Sequence, residues 1–487
     1  AAPGGSGVFI DWEDTAFVGG LADASLRVKE WTITRGASPE LTGGSQPGSA
    51  TITLINTPDD LYNPENTGGD LYGNLTDGPP VWIGVNANGT IVYDAGQAVH
   101  GLFAGRVTDL SVMPVPGASV APTVEIVAED PLGWMSRQKV NLPDSTTRDQ
   151  AGLRDEILDA LSVTLRDVPS EPTTMPLSSA DGLALGVLDQ LNSANGTRHF
   201  AKPADNAADW WTYVAIRRTD LLDGTSDASL SASSQHVTST SGWRIAADVV
   251  INQQRASVEP ISFPLGLGTV WETETIPIVV LAASPLVVWT EFDDYVAEPE
   301  LDINYTGSAL TELIEPFGHT AKVTLTSAGT STLSLFRVVG YHVIREATAS
   351  VVIDDLTSQG EARGIRAGPD LSGDYLGTLT SAEGLARHIV WRFGNVLYRP
   401  TLTVENWLPT QFSLDLFDRI AFTSTQLGVT ARIFEIVGLT HHGIMAATGA
   451  VHHVTTYTLQ ESRVQAATSW FTWDSTVWDD AAEPWAY

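Results

Sequence analysis

Apolar and polar positions alternate in short runs over residues 1–135. Residues 26–36 (LRVKEWTITRG), 49–56 (SATITLIN), 80–95 (PVWIGVNANGTIVYDA), 100–113 (HGLFAGRVTDLSVM) and 122–130 (PTVEIVAED) each carry a period of two, which puts one face of a strand in a core and the other in water. Turn signals separate the runs. Asn88-Gly89 sits between two apolar stretches, where a two-residue hairpin needs positive φ at both positions. Five or six strands, mostly neighbours in sequence, predict a barrel or a sandwich. One stretch departs from this. Residues 50–75 (ATITLINTPDDLYNPENTGGDLYGNL) begin as a strand, then become an acidic excursion rich in Pro and Asn that contains Tyr62 and Tyr72. Loops of this length inside a β domain are uncommon and are often functional.

The period then changes. Residues 149–163 place Leu153, Ile157 and Leu161 on one helical face; residues 179–196 do the same with Leu185, Leu188 and Leu191 and stop at Asn195-Gly196, a helix terminus. Strand patterns return at 210–217, 246–252, 276–289, 322–327 and 332–344, and the serine-rich segment 226–242 reads as an exposed loop. A third helix follows residue 377, with Thr380 and Glu383 spaced as a capping box and Leu385, Ile389 and Phe393 as its apolar face. Strands at 399–406, 418–424, 431–442 and 451–462 follow, and then a tail, WFTWDSTVWDDAAEPWAY, that carries Trp470, Trp473, Trp478 and Trp485. The fold class is therefore mainly β with a few helices, in several domains, with similar small β-barrels at the two ends and no repeat of 20–50 residues.

Composition sharpens this picture. The chain has 487 residues, 43% of them hydrophobic, so it can build real cores. It has no cysteine, which excludes disulfides, thiolate metal sites and cysteine nucleophiles. The formal charge of −32 opposes binding to nucleic acid or anionic lipid through long-range attraction. The start, AAPGGSGVFIDW, lacks the basic and apolar regions of a Sec signal, and Ala1 is expected to follow a removed initiator Met. The run IPIVVLAASPLVVW at 276–289 is short for a membrane span and holds two prolines, so it reads as a β core segment.

Candidate chemistry is sparse. No H-E-x-x-H, G-x-S-x-G, P-loop or G-x-G-x-x-G is present. Acid pairs such as Asp59-Asp60 and Asp293-Asp294 are expected by chance among 58 acids. The excursion after residue 58 does not follow the EF-hand pattern. His441-His442 and His452-His453 flank a hairpin-like segment, and alternation puts one histidine of each pair on one face; they are weak candidates for metal ligands, and polar strand ends are the preferred reading. No catalytic residue and no cofactor is expected. Of the 15 tryptophans, Trp12, Trp31, Trp82 and Trp391 read as core. Trp470, Trp473, Trp478 and Trp485 lie in a segment too short and acidic to form its own core, so they are expected at an interface.

Several motifs together resemble the tail hub proteins of phages, particularly the minor tail or tail-tip proteins of phages that infect actinobacteria. WTITRG, GSATITLIN, LYNPENTGGDLYGNL, PVWIGV and LFAGRVTDL follow that family's order of elements over residues 8–140. Residues 354–368 (DDLTSQGEARGIRAG) resemble its D-x-x-S…G-x-R joint, and residues 414–423 (LDLFDRIAFT) its L-x-x-G-D-x-V strand, with Phe417 where glycine is usual. The end, WFTWDSTVWDD, is similar to the family's C-terminus. The resemblance implies a structural, non-enzymatic virion protein at the distal tip of the tail, assembled in the host cytoplasm. It implies a homotrimer whose six barrels join a six-fold tube to a three-fold tip around a channel that DNA traverses without specific binding. Implied partners are tail tube or distal ring proteins, the tape measure protein and tip or fibre proteins, with no membrane span. The implied division is 1–135, a tube-like barrel; 136–215, an α/β connection; 216–360, a sandwich-like domain; 361–465, a second tube-like barrel; and 466–487, the Trp-rich tail. Tyr62 and Tyr72 are expected to dock the excursion on a neighbour. The alternatives are a carbohydrate-binding or receptor-binding tip module and a cell-wall hydrolase.

Overall fold

The computed structural model describes residues 5–462 apart from 13–22, 38–44, 57–60, 72, 75–77, 87–99, 114–121, 143–148, 170–179, 206–208, 218–219, 221–224, 244, 247–249, 263–265, 274, 283, 294–295, 318, 362–363, 374, 377, 396, 406–409 and 446–450. The Asn88-Gly89 turn, Tyr72 and the four tail tryptophans lie outside the described residues. The chain is mainly β. Twelve strands form one sheet that curls around two cores. The first six are β1 (Gly5–Ile10), β2 (Val28–Ala37), β3 (Ser45–Ile55), β4 (Pro80–Asn86), β5 (His100–Met113) and β6 (Thr123–Glu129). The other six are β7 (Ala228–Ser231), β8 (Val237–Ser241), β9 (Thr401–Glu405), β10 (Arg419–Ser424), β11 (Val429–Met445) and β12 (Val451–Glu461). Alternation builds both cores. Ala50, Ile52 and Leu54 of β3 are fully buried, while Thr51 and Thr53 between them face out.

The two halves share one topology. The order in the first is β1-β4-β5-β6-β3-β2, and in the second β7-β10-β11-β12-β9-β8, which is the same path six strands later. Only the first pairing differs in sense: β1 is antiparallel to β4, whereas β7 is parallel to β10. The irregularities also repeat. A bulge separates Val107 from Asp109 where β5 meets β6, and another separates Ile436 from Gly438 where β11 meets β12. Bulges likewise fall between Val28 and Glu30 on β2 and between Val237 and Ser239 on β8. Bulges fix register and bend a strand, so matching bulges mark equivalent positions.

One equivalence explains the departure at Phe417. Gly78, two residues before β4, has φ +100°, and its N–H donates to the Val107 carbonyl at 2.8 Å. Phe417, two residues before β10, has φ +70°, and its N–H donates to the Ile436 carbonyl at 2.8 Å. Each partner returns the bond, Val107 N–H to Pro79 at 3.0 Å and Ile436 N–H to Asp418 at 2.9 Å. The turn therefore requires a left-handed residue, and Phe417 accepts that strain because its ring is buried against Phe200, 5.7 Å away. A Cβ at Gly78 would meet nothing within 4 Å, so Gly78→Ala should cost about 1 kcal/mol through the backbone alone. Phe417→Gly relieves strain but empties a core site, and a net loss of about 2–4 kcal/mol is expected by urea denaturation.

Between β6 and β7 lies the α/β connection. Helices α1 (Pro131–Met135), α2 (Gln150–Ala160) and α3 (Ala184–Asn195) bury Leu153, Ile157, Leu188 and Leu191 against Tyr213 of the strand Trp211–Ile216. Asp149 caps α2, and Gly196, with φ +70°, ends α3 as the sequence indicates.

The long insertion between β8 and β9 is a nested antiparallel arm. Ile245 pairs with Tyr398, Gln253 with Asp354, Ile261 with Arg345 and Gly268 with Gly340. Helices α4 (Leu356–Glu361) and α5 (Leu379–Phe393) follow on the return, and α5 packs over the arm's base through Leu385, Ile389 and Phe393. The far end is a sandwich built around Val323, Leu325, Leu333, Phe336 and Val338.

The sequence reading changes in several places. Segment 226–242 contains two barrel strands, β7 and β8, so the second barrel begins inside the expected middle domain; its side chains are small and hydroxylic, which hid the pattern. Helix α5 is capped by Thr378, whose Oγ1 accepts from Ser381 N at 3.1 Å, and not by Thr380. The run 276–289 splits into two strands, Ile278–Val280 and Leu286–Glu291. Strand Val296–Gly307 was missed, because its acids and proline break the apolar alternation. Among the described residues, no helix is long and apolar enough to cross a membrane.

Candidate functional site: an open sheet face and the seam between two barrels

β2 is the edge strand of the first barrel and β11 belongs to the second, and they pair antiparallel from Glu30–Ile444 to Gly36–Gly438. The two barrels are thus one continuous sheet. Trp31 lies on the core side of this seam, 1% exposed, opposite Gly443. A Cβ on Gly443 would come within 2.4 Å of the Trp31 ring, so glycine is required for the indole to lie there. The His453 ring is 5.8 Å from Trp31 and 5.0 Å from Phe412. Phe412 lies on helix α6 (Thr410–Ser413), between β9 and β10, and joins the core of the first barrel. Arg35 of β2 completes the seam. Its Nη1 donates to Asp415 Oδ1 at 2.7 Å and its Nη2 to the Ala201 carbonyl at 2.6 Å, with the guanidinium buried.

The opposite face of the sheet is open, and cross-strand rows run across both barrels. One row is Glu125, Thr53, Glu30, Ile444, His452; the next is Val127, Thr51, Thr32, His442, Val454, Glu405; a third is Glu129, Ser49, Thr34, Thr440, Thr456, Thr403, Ser239. None of these side chains is buried. These rows contain hydroxyls, carboxylates and two histidines; arginines stand at one margin, where Arg106 of β5 lies opposite Glu129 and Arg137 pairs with Glu129 at 2.6 Å. Away from that margin, such a wall offers a phosphate chain little positive charge.

Alternation divides the four histidines as the sequence implies. His441 and His453 face the core, while His442 and His452 face out, where His452 Nε2 lies 3.2 Å from Glu405 Oε2. His441 Nδ1 bonds Thr455 Oγ1 at 2.9 Å. Burial, then the Arg35 and His453 charges, push the His441 imidazole down to about 3, so it is neutral in the fold. Among the described residues, no group of three or more His, Asp or Glu side chains is placed to hold a metal ion.

Two carboxyls move the other way. Asp130 is raised to about 6, mainly by burial, and Asp418 to about 6 by burial and by Asp415 and Asp227. Their folded values lie above the unfolded 3.8, so the fold gains stability as pH falls from above 6 toward 4. His441 has the opposite sign: its folded value lies below 6.5, so stability is lost as pH falls from 6.5 toward 3. The terms oppose one another. The wild-type urea midpoint should rise modestly between pH 6.5 and 4, by the equivalent of about 1–2 kcal/mol, whereas D130N/D418N should lose about 3 kcal/mol over that window.

The structure corrects the expectation for Tyr62. It is 1% exposed within the first barrel, its N–H donates to Asn56 Oδ1 at 2.8 Å, and Leu61 and Leu71 share its core. The excursion packs on its own barrel there, because Asn56 and Asn63 close local turns that fold it back. Trp12, Trp31 and Trp82 are buried as expected, and Trp391 is half-buried. Sequence reading missed the seam itself. Its signal, a glycine opposite a tryptophan, exists only once the two strands are paired.

No family model and no curated protein matches the chain. Solved tail proteins do resemble it. A tail protein from Neisseria meningitidis MC58 aligns over 94% of this chain and 96% of its own, at 9% identity and a TM-score of 0.48. Prophage tail protein gp18 from Listeria monocytogenes EGD-e aligns over 93% and 94%, at 9% identity and a TM-score of 0.42. E. coli c3393, a type VI secretion component described as similar to the T4 bacteriophage tail proteins gp27 and gp5, aligns over 90% and 75%, at 9% identity and 0.40. All three TM-scores lie below 0.5.

Proposed function

We propose that the chain is a structural phage tail protein, the trimeric hub at the distal end of the tail. The observation that carries this reading is the pair of six-stranded barrels of one topology, joined edge to edge within one chain. Three such chains supply six quasi-equivalent barrels, which match a six-fold tube above, while the differing arms match a three-fold tip below. The open, threonine-rich and acidic face is the channel wall, past which DNA slides without being held. The partners are the tail tube or distal ring above, the tape measure protein within, and tip or fibre proteins below; Tyr72 and the tail tryptophans Trp470, Trp473, Trp478 and Trp485 belong to those interfaces. The hub acts as structure and not as an enzyme. Antibody-gold labelling of stained particles tests this: label confined to the distal tail tip is expected, and protein found only free in the medium sinks it.

One observation favours an added role for the arm. The outer face of its sandwich carries Trp289, 61% exposed, beside exposed Val287 and Leu313. A flat apolar platform of this kind suits stacking on a sugar ring. Loss of cell-wall glycan binding in W289A would support it, and equal binding would remove it.

A further inference from the structure

The seam within the chain indicates how one copy meets the next. β2 and β8 are equivalent strands, since both carry the bulge that sets Val28 beside Leu54 and Val237 beside Val404. Counted from that bulge, Thr32 corresponds to Ser241. β5 and β11 are equivalent in the same way, and counted from their bulges His442 corresponds to Met113. In the chain, β2 fills the edge that β11 exposes once it has left β10. The counterpart edge on β5 begins after Arg106, where β4 stops; among the described residues no strand pairs with it, and Thr108 to Val112 are exposed or half-buried. The counterpart donor, β8, pairs with β9 on one side, and Ser239 to Ser241 are exposed. An edge with unpaired peptide groups is a template for another strand.

We propose that β8 of one copy adds antiparallel to the outer half of β5 in a second copy, with Ser241 opposite Met113, as Thr32 stands opposite His442 within the chain. This deepens the hub reading and rests on it. It makes the contact heterologous, so that repetition closes a ring of alternating barrels. The second seam is the shorter one. The seam within the chain runs through seven residue pairs, whereas β8 ends at Ser241, just before Gly242 with φ +69°.

The chain has no cysteine, so an introduced pair reports alone. The full-length S241C/M113C variant, oxidised at high concentration, should migrate as disulfide-linked trimer on a non-reducing gel. S241C/D109C, displaced along the strand, should link at least ten-fold less. Native mass measurement of the wild-type chain separates the outcomes. A trimer that does not link, or that links equally through both pairs, overturns the strand pairing and leaves the ring. A chain that stays monomeric at the same concentration overturns the ring as well.

Discussion

Glu435→Ala is expected to lower the unfolding free energy by about 3–5 kcal/mol. Glu435 lies on β11, 1% exposed, and both its carboxylate oxygens accept from Arg392 Nη2 on α5, at 2.8 and 2.9 Å. Arg198, on the strand Arg198–Pro203, is also buried; burial and the Arg392 charge lower it to about 10, and Glu435 opposes them. One carboxylate therefore serves two guanidiniums from two different elements. Its removal leaves like charges in a place from which water is excluded, and that uncompensated burial is what costs. Replacing Glu435 and Arg392 together by leucine removes one cation with the anion and should recover part of the loss. Urea denaturation followed by tryptophan fluorescence reads both variants. A single-variant loss under about 1 kcal/mol would mean that water reaches the pair.

Trp31→Ala is the second large effect, with an expected loss of about 3–5 kcal/mol. The indole is among the largest fully buried side chains and spans the seam, against Gly443 and His453 of the second barrel and in one core with Phe412. The effect should be local as well as global. Peptide N–H groups of β2 and β11 should exchange with deuterium faster in the variant, while those of the arm's sandwich, with its separate core, should not change. Gly443→Val attacks the same contact from the other side and should produce the same exchange pattern. Uniform exchange across the whole chain would show that the seam is not a separate unit.

The sequence carries the barrels well, because their strands alternate strictly: Val124, Ile126 and Ala128 point in, while Glu125 and Val127 do not. Helices α2 and α3 are equally legible through Leu153, Ile157, Leu188 and Leu191. The left-handed turn at Phe417 shows as a departure from a glycine pattern and proves to be a real backbone constraint. What fails is long-range pairing. Nothing local in DASLSASS says that β7 will lie beside β10 nearly two hundred residues on, since serine contributes little apolar signal. Tyr62 fails for a related reason. A tyrosine in a polar loop looks free to meet a partner, and only Asn56 and the barrel core show where the ring goes.

The arm leaves the second barrel and returns to it through neighbouring strands, with Ser241 beside Thr401 and Ile245 beside Tyr398. Entry and exit are therefore side by side, as at the neck of a graft. A shorter or entirely foreign domain can be spliced at that neck while each barrel strand keeps its partners, since the ends to be joined already meet. The far end of the arm can therefore change in size and sequence while the two barrels and the seam between them stay as they are.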